Sequence, residues 1–293
     1  MKLKQKNVFH EIMIHSFNKR KLLEFLRKIF PDVHLNSNSI VIQRIPSKKN
    51  IVVSLTFLEQ QDNLPRELII KIFKSPIANK EFKILNLLFQ NGINVPRVLK
   101  YDDPYLIMEK INGINVCDAL NIPLINKKSL DDLDNDVKEN LYRIINKLAI
   151  WLNDFHSKNM PDKTSEKEHD LVLDKGDTRL RDFIYQEKND VIFGVDFEDS
   201  YYGNHIDDLA WICCSMLDTT PGIFELEIPL HKMELINYFL KQYYNKSKSF
   251  SFDFQYFAEK LIENLNLVMK RRQINFILNK NTILRNILKD IQI

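Results

Sequence analysis

A chain of 293 residues is long for one core and short for three, so two lobes are expected. Hydrophobic residues at 44% and aromatics at 11% supply a packed interior and exclude an intrinsically disordered chain. A net charge of +3 on 42 basic and 39 acidic residues argues against nucleic-acid binding, because short basic runs such as 18–21 and 270–272 read as solvated helix faces. Three cysteines, two of them adjacent at Cys213 and Cys214, fit neither a disulfide framework nor a zinc site, which points to a reduced, cytoplasmic setting. The first fifteen residues lack a continuous apolar stretch, and no run reaches the roughly 18–20 apolar residues of a membrane span, so neither a signal peptide nor membrane contact is expected.

In chain order, residues 8–30 carry apolar side chains at helical spacing, with Pro31 as the stop, and His10 and His15 read as surface residues. Three β-rich pieces follow, at 39–43, 51–57 and 67–73, separated by polar breaks that favour an antiparallel meander. In the third, Lys71 shares a face with Ile69 and Phe73; an edge strand would carry such a charge against aggregation. Pro76 opens a helix over 77–89 with Glu81 early in it, and Gly92 ends it. Strands are expected at 95–99 and 105–111, and the Asn112–Gly113 break marks the lobe boundary. Beyond it, helices are predicted at 137–156 and 206–216, then near 229–245, 253–278 and 280–290, with a polar loop over 157–170. Between residues 171 and 211 lie two strand-like pieces, 182–185 and 191–195, flanked by Asp177, Asp182 and Asp196.

Carboxylates around a short hairpin can hold divalent cations on a polyphosphate. Phosphoryl transfer needs charge neutralisation on the nucleotide phosphates, in-line positioning and a group near the acceptor hydroxyl. The required parts occur here in the required order: strand Lys71, helix Glu81, Asp177, a carboxylate five residues later at Asp182, and Asp196 closing the hairpin. Singly each has a structural explanation, since Asp196 can end a strand and Asp177 suits a turn after glycine. No G-x-G-x-x-G follows any strand, which disfavours a Rossmann oxidoreductase.

The segments around Lys71, Glu81 and Pro96, the strand 106–116, the helix LAIWLNDFHS, and the runs KGDTRLRDFIY and GVDFEDSYYGNHIDDLAW resemble the aminoglycoside phosphotransferase and choline kinase family, a branch of the protein-kinase-like fold. The resemblance covers residues 35–215 and lacks the Asp-Phe-Gly and Ala-Pro-Glu of protein kinases. It implies an α+β, bilobal fold, with an antiparallel nucleotide-binding lobe over 1–111 and a mainly helical lobe over 112–293. It further implies ATP and Mg²⁺ as cofactors and γ-phosphate transfer to a small-molecule hydroxyl. On this reading Lys71, held by Glu81, bridges the α- and β-phosphates. Met108 is the gatekeeper, the backbone of Glu109 and Ile111 meets adenine, Asp177 orients the acceptor, and Asp182 and Asp196 bind Mg²⁺. Asp208 braces the loop that carries Asp177.

Two positions depart from the family: Lys175 replaces histidine and Asp182 replaces asparagine. The added negative charge at Asp182 needs a cation nearby, with Lys175, Arg179 and Arg181 as candidates. Ser47 and Lys48 in the first hairpin connector could touch phosphate, though a solvated turn explains them. A pseudokinase or nucleotide-binding scaffold is the alternative, and a small Ser/Thr protein kinase a further one; the short run 198–204 leaves little room for an activation segment. Glu225, Glu227, Glu234, Asp253, Glu259 and Glu263 would suit a cationic acceptor such as an amino sugar or amino alcohol, and equally any soluble helix face. Composition leaves the oligomeric state open.

Overall fold

The computed structural model describes residues 19–31, 40–47, 49–61, 63–74, 78–161, 171–246, 249–275, 277–278 and 281. Two compact units divide the chain: residues 1–89 with 96–111, and residues 90–95 with 112–293. His10, His15, Lys48, Pro76 and, apart from residue 281, the expected helix at 280–290 lie outside the described residues.

The first unit is built on a five-stranded antiparallel sheet, in the order β1 (Ile40–Ile45), β2 (Ile51–Phe57), β3 (Glu67–Ile72), β5 (Tyr105–Glu109), β4 (Val98–Asp102). β-branched and leucine side chains suit a pleated, half-buried surface. Val53, Leu55, Leu68, Ile70 and Ile107 accordingly form one core with Leu22, Phe25 and Leu26 of helix α1 (Lys19–Ile29). Helix α2 (Ala78–Gln90) follows β3 and carries Glu81 in its first turn. Strand β4 starts three residues later than expected, because Pro96 has no N–H for a ladder. Since β3 lies between β2 and β5, Lys71 is not on an edge, and the aggregation-guard explanation falls away.

The second unit contains a three-stranded sheet, β6 (Ile114–Asn115), β8 (Phe183–Gln186) and β9 (Val191–Gly194), in the order β6-β8-β9. A separate antiparallel ribbon pairs β7 (Leu171–Asp174) with β10 (Tyr201–Asn204), Tyr201 opposite Asp174. Neither strand of that ribbon was expected; 198–204 had read as a plain connector. The helices are α3 (Val116–Asn121), α4 (Asn135–Lys158), α5 (His205–Asp218), α6 (Leu230–Lys246) and α7 (Phe254–Arg272), with α4 against α6 and α5 against α7. In α4 the stripe Leu141, Ile144, Ile145, Leu148, Leu152 and Phe155 is fully buried, as its spacing requires. Helix α5 is buried almost all round and starts where the Asn204 side chain accepts a hydrogen bond from the Ile206 N–H at 3.0 Å. Among the described residues no helix is long and apolar enough to cross a membrane.

His231, at the start of α6, is buried, and its Nδ1 accepts the Lys232 N–H at 2.8 Å. Burial, helped by Lys232, lowers its pKa to about 4. Between that value and the ordinary 6.5 only the unfolded chain takes up the proton, so stability is full above pH 6.5 and lost as pH falls toward 4, by at most about 1.4 kcal/mol per pH unit. His231→Gln should flatten the pH dependence of the urea midpoint in that window; an unchanged slope would remove His231 as its source.

Candidate active site

In the first unit the register of β3 against its neighbours sets Lys71 opposite Leu106 of β5 and Val52 of β2. Its side chain is buried between them, and Nζ donates to Glu81 Oε2 at 2.8 Å, with the two side chains only 8% and 2% exposed. The ammonium also lies 5.0 Å from the centre of the Phe73 ring. A buried ion pair adds little net stability, yet removing one partner costs about 3–5 kcal/mol. Such a pair holds a cation in one place. Met108 faces Ile69 and Glu109 faces Leu68 across the same ladder, and Ile111 follows two residues on. The Glu109 N–H donates to Arg97 O at 3.1 Å and its carboxylate accepts the Arg97 N–H at 2.9 Å, which pins the end of β5.

In the second unit the loop 175–182 leaves β7 through Gly176 at φ +72° and Asp177 at φ +42°. Glycine is needed at 176 twice over, because an added Cβ would also lie 2.6 Å from Asp199 O. Asp208, in the first turn of α5, anchors this loop. Its Oδ2 accepts the Lys175 N–H at 2.7 Å, and its Oδ1 accepts the Gly176 N–H at 3.1 Å and the Thr178 hydroxyl. His156 Nε2 lies 3.2 Å from Oδ2. Burial would raise the Asp208 pKa, but the hydrogen bonds from His156, Thr178 and Lys175 hold it below the usual carboxylate range.

The anchored loop presents Asp177 outward, where both its oxygens accept from Arg271 Nη1 of α7, at 3.0 and 2.9 Å. The Arg271 guanidinium sits 5.6 Å from the Trp211 ring, and that of Arg179 lies 5.8 Å from it. Arg179 points to buried Asp218, at 2.7 and 2.6 Å, where Arg272 joins it. It therefore does not neutralise Asp182. Lys175 does: fully buried, its Nζ donates to Asp182 Oδ2 at 3.3 Å and to Asp196 O at 2.8 Å. Burial pushes the Asp182 carboxyl up, while Lys175 and the Arg179 N–H at 3.0 Å act against it. Lys175→Met should thus lose about 3–5 kcal/mol. Adding Asp182→Asn should restore part of it; urea unfolding of the four chains of the double-mutant cycle would read a coupling above about 1 kcal/mol, and additivity would contradict the pairing.

Asp196 is exposed and held at φ +65°, and the carboxylates of Asp196 and Glu198 have oxygens within 4.8 Å of each other. Glu198, Arg271 and Asp218 were not singled out from sequence as parts of the site. An all-oxygen set of Asp182, Asp196 and Glu198 has the hard donors that Mg²⁺ takes. Five of the six acidic residues considered for a cationic acceptor have partners within the second unit. Glu225 caps the Thr220–Gly222 turn, Asp253 caps α7, Glu234 accepts from Tyr142, Glu259 from Gln255, and Glu263 pairs with Lys260.

The RIO domain family model matches residues 47–160, which include Lys71, Glu81 and Met108 and stop before Asp177. No curated protein gave a significant match. Among solved structures, the choline kinase of Cryptosporidium parvum Iowa II aligns with a TM-score of 0.53 at 14% identity, over 92% of this chain and 98% of its own. An amicoumacin kinase in complex with AMP-PNP, Ca²⁺ and Ami aligns at 0.55 and 14%, over 94% and 93%. The choline kinase LicA of Streptococcus pneumoniae aligns at 0.51 and 14%, over 90% and 98%. The chain has a protein-kinase-like fold, α+β, with an antiparallel sheet in the first unit and mainly helices in the second. Within that fold the structural neighbours are small-molecule kinases, whereas the family model is that of the RIO domain and not of the aminoglycoside phosphotransferases.

Proposed function

We propose that this chain is an ATP- and Mg²⁺-dependent phosphotransferase that moves the γ-phosphate to a hydroxyl of a small molecule. The observation that carries the reading is backbone strain at two carboxylates. Five described non-glycine residues have positive φ, and two of them are Asp177 and Asp196. Left-handed conformations at non-glycine residues cost energy and cluster at functional sites. At both positions the chain carries that cost where a kinase needs a fixed carboxylate.

Lys71, fixed by Glu81, is the cation for the α- and β-phosphates. Backbone groups of Glu109 and Ile111 meet the adenine edge, with Met108 at the gatekeeper position. Asp177 orients the acceptor hydroxyl and takes its proton as the oxygen attacks phosphorus. Asp182 and Asp196, with Glu198 beside the latter, would hold Mg²⁺, which when bound neutralises phosphate charge. Lys175 offsets the extra negative charge that Asp182 brings. The acceptor competes with Arg271 for the oxygens of Asp177. The structural neighbours, a choline kinase and an amicoumacin kinase in complex with Ami, support a small hydroxyl-bearing acceptor.

The contact between Arg271 and both oxygens of Asp177 favours a second reading, a nucleotide-binding scaffold in which the base is blocked. A thermal-shift experiment with Mg·ATP, followed by ATP-consumption assays over a panel of hydroxyl-bearing metabolites, separates the two. Phosphorylated product supports the transferase. A nucleotide shift with no turnover, persisting in Arg271→Ala, supports the scaffold.

A further inference from the structure

Behind the loop that carries Asp177 lies a second cluster, wholly inside the helical unit. Asp174, the last residue of β7, is fully buried, and neither of its oxygens has a hydrogen-bond partner among the described residues. Its Oδ1 lies 3.7 Å from His156 Nε2, which is itself 3.2 Å from Asp208 Oδ2. One ligating atom from each of the three residues lies within 4.8 Å of the other two, and all three residues are buried. We propose that His156, Asp174 and Asp208 form a buried binding site for a divalent cation of the zinc type.

The physical problem posed by the cluster is one of supply. Two buried carboxylates converge on one imidazole nitrogen, which has at most one proton to give. Asp208 is already satisfied by the Lys175 and Gly176 N–H groups and the Thr178 hydroxyl. Asp174 receives nothing. A buried ionised carboxylate without a partner is costly. A cation resolves both carboxylates and the nitrogen together.

The geometry suits such an ion. Bonds of about 2.0–2.2 Å to imidazole and carboxylate, arranged as a tetrahedron, give ligand–ligand edges of about 3.3–3.6 Å. The two edges from His156 Nε2, 3.2 and 3.7 Å, bracket that range, and the third, between the two carboxylates, is within 4.8 Å. Supporting contacts are in place as well: His156 Nδ1 is 2.8 Å from the Tyr243 hydroxyl, which can hold the imidazole proton when Nε2 exchanges its contact with Asp208 for the metal. Gly203, opposite Val172 in the ribbon, lies against the Asp174 side chain: a Cβ there would come within 2.4 Å of Asp174 Oδ2, so glycine leaves the carboxylate its room. One nitrogen and two oxygens from buried side chains suit zinc better than Mg²⁺, which keeps several waters. The ion would tie α4, β7 and α5 together directly under residues 175–178, and it is independent of the nucleotide reading above.

The test uses the full chain without nucleotide, refolded with Zn²⁺ or with EDTA and dialysed. Elemental analysis should find about one zinc per chain, the melting temperature should fall in EDTA, and Asp174→Asn should lose both the metal and the EDTA sensitivity. Should Asp174→Asn fail to fold, Co²⁺ loading of the unaltered chain decides: visible d–d bands of a tetrahedral N/O site are expected. A metal-free chain that melts alike in Zn²⁺ and EDTA overturns the site. So does undiminished zinc in Asp174→Asn, or a cobalt spectrum dominated by thiolate charge transfer from Cys117, Cys213 or Cys214.

Discussion

Asp177→Asn should lower phosphotransfer at least about 10²–10⁴-fold, to whichever acceptor the panel identifies, while leaving Mg·ATP affinity nearly unchanged. The substitution keeps the shape of the side chain and removes its charge and its ability to take a proton. The loop should hold, because its position depends on Asp208 and Gly176 and not on the Asp177 carboxylate. The lost contact with Arg271 is half-exposed and worth little, about 1 kcal/mol or less. A fall in kcat with a constant nucleotide Kd therefore isolates the chemical role. Turnover equal to that of the unaltered chain would remove Asp177 from it.

Asp208→Ala should be the most damaging change to the helical unit, with a loss of about 3–5 kcal/mol. The carboxylate is completely buried and accepts from two backbone N–H groups and a hydroxyl, with His156 alongside. Truncation strands all of these donors in a place water does not reach. Because the chain has two units and need not unfold in one step, the local readout is amide exchange at Lys175 and Gly176, whose protection should fall by orders of magnitude. If the alanine variant does not fold, Asp208→Asn serves, since its amide can replace only part of the acceptor set. Retained protection at both amides would mean that the loop is held by something else.

What could be read from the sequence and what could not divides along chain separation. Strands β2 and β3 and helices α2, α4 and α5 announce themselves through local periodicity, and Lys71 stood out because a lysine among isoleucines is locally anomalous. The fold class followed from the resemblance of the segments around Lys71, Glu81, Asp177 and Asp196 to a known family. The ribbon of β7 and β10 did not, because four-residue strands carry little pattern and their pairing joins Asp174 to Tyr201 across an intervening hairpin. Arg271 meets Asp177 across 94 residues, and Arg179 finds Asp218 across 39. Such contacts have no local signature, so only the fold decides among Lys175, Arg179 and Arg181 as counter-charge. Asp174 was invisible for a related reason: in sequence it is one more acid at a strand end, and only burial beside His156 and Asp208 makes it unusual.

The central claim is a kinase-type site that binds nucleotide through metal, and calorimetric titration of Mg·ATP into the full chain tests it most directly. Saturable binding near one nucleotide per chain is expected, at least about tenfold weaker in both Lys71→Ala and Asp196→Ala. Absence of binding to the unaltered chain, or equal affinity in both variants, would contradict the account.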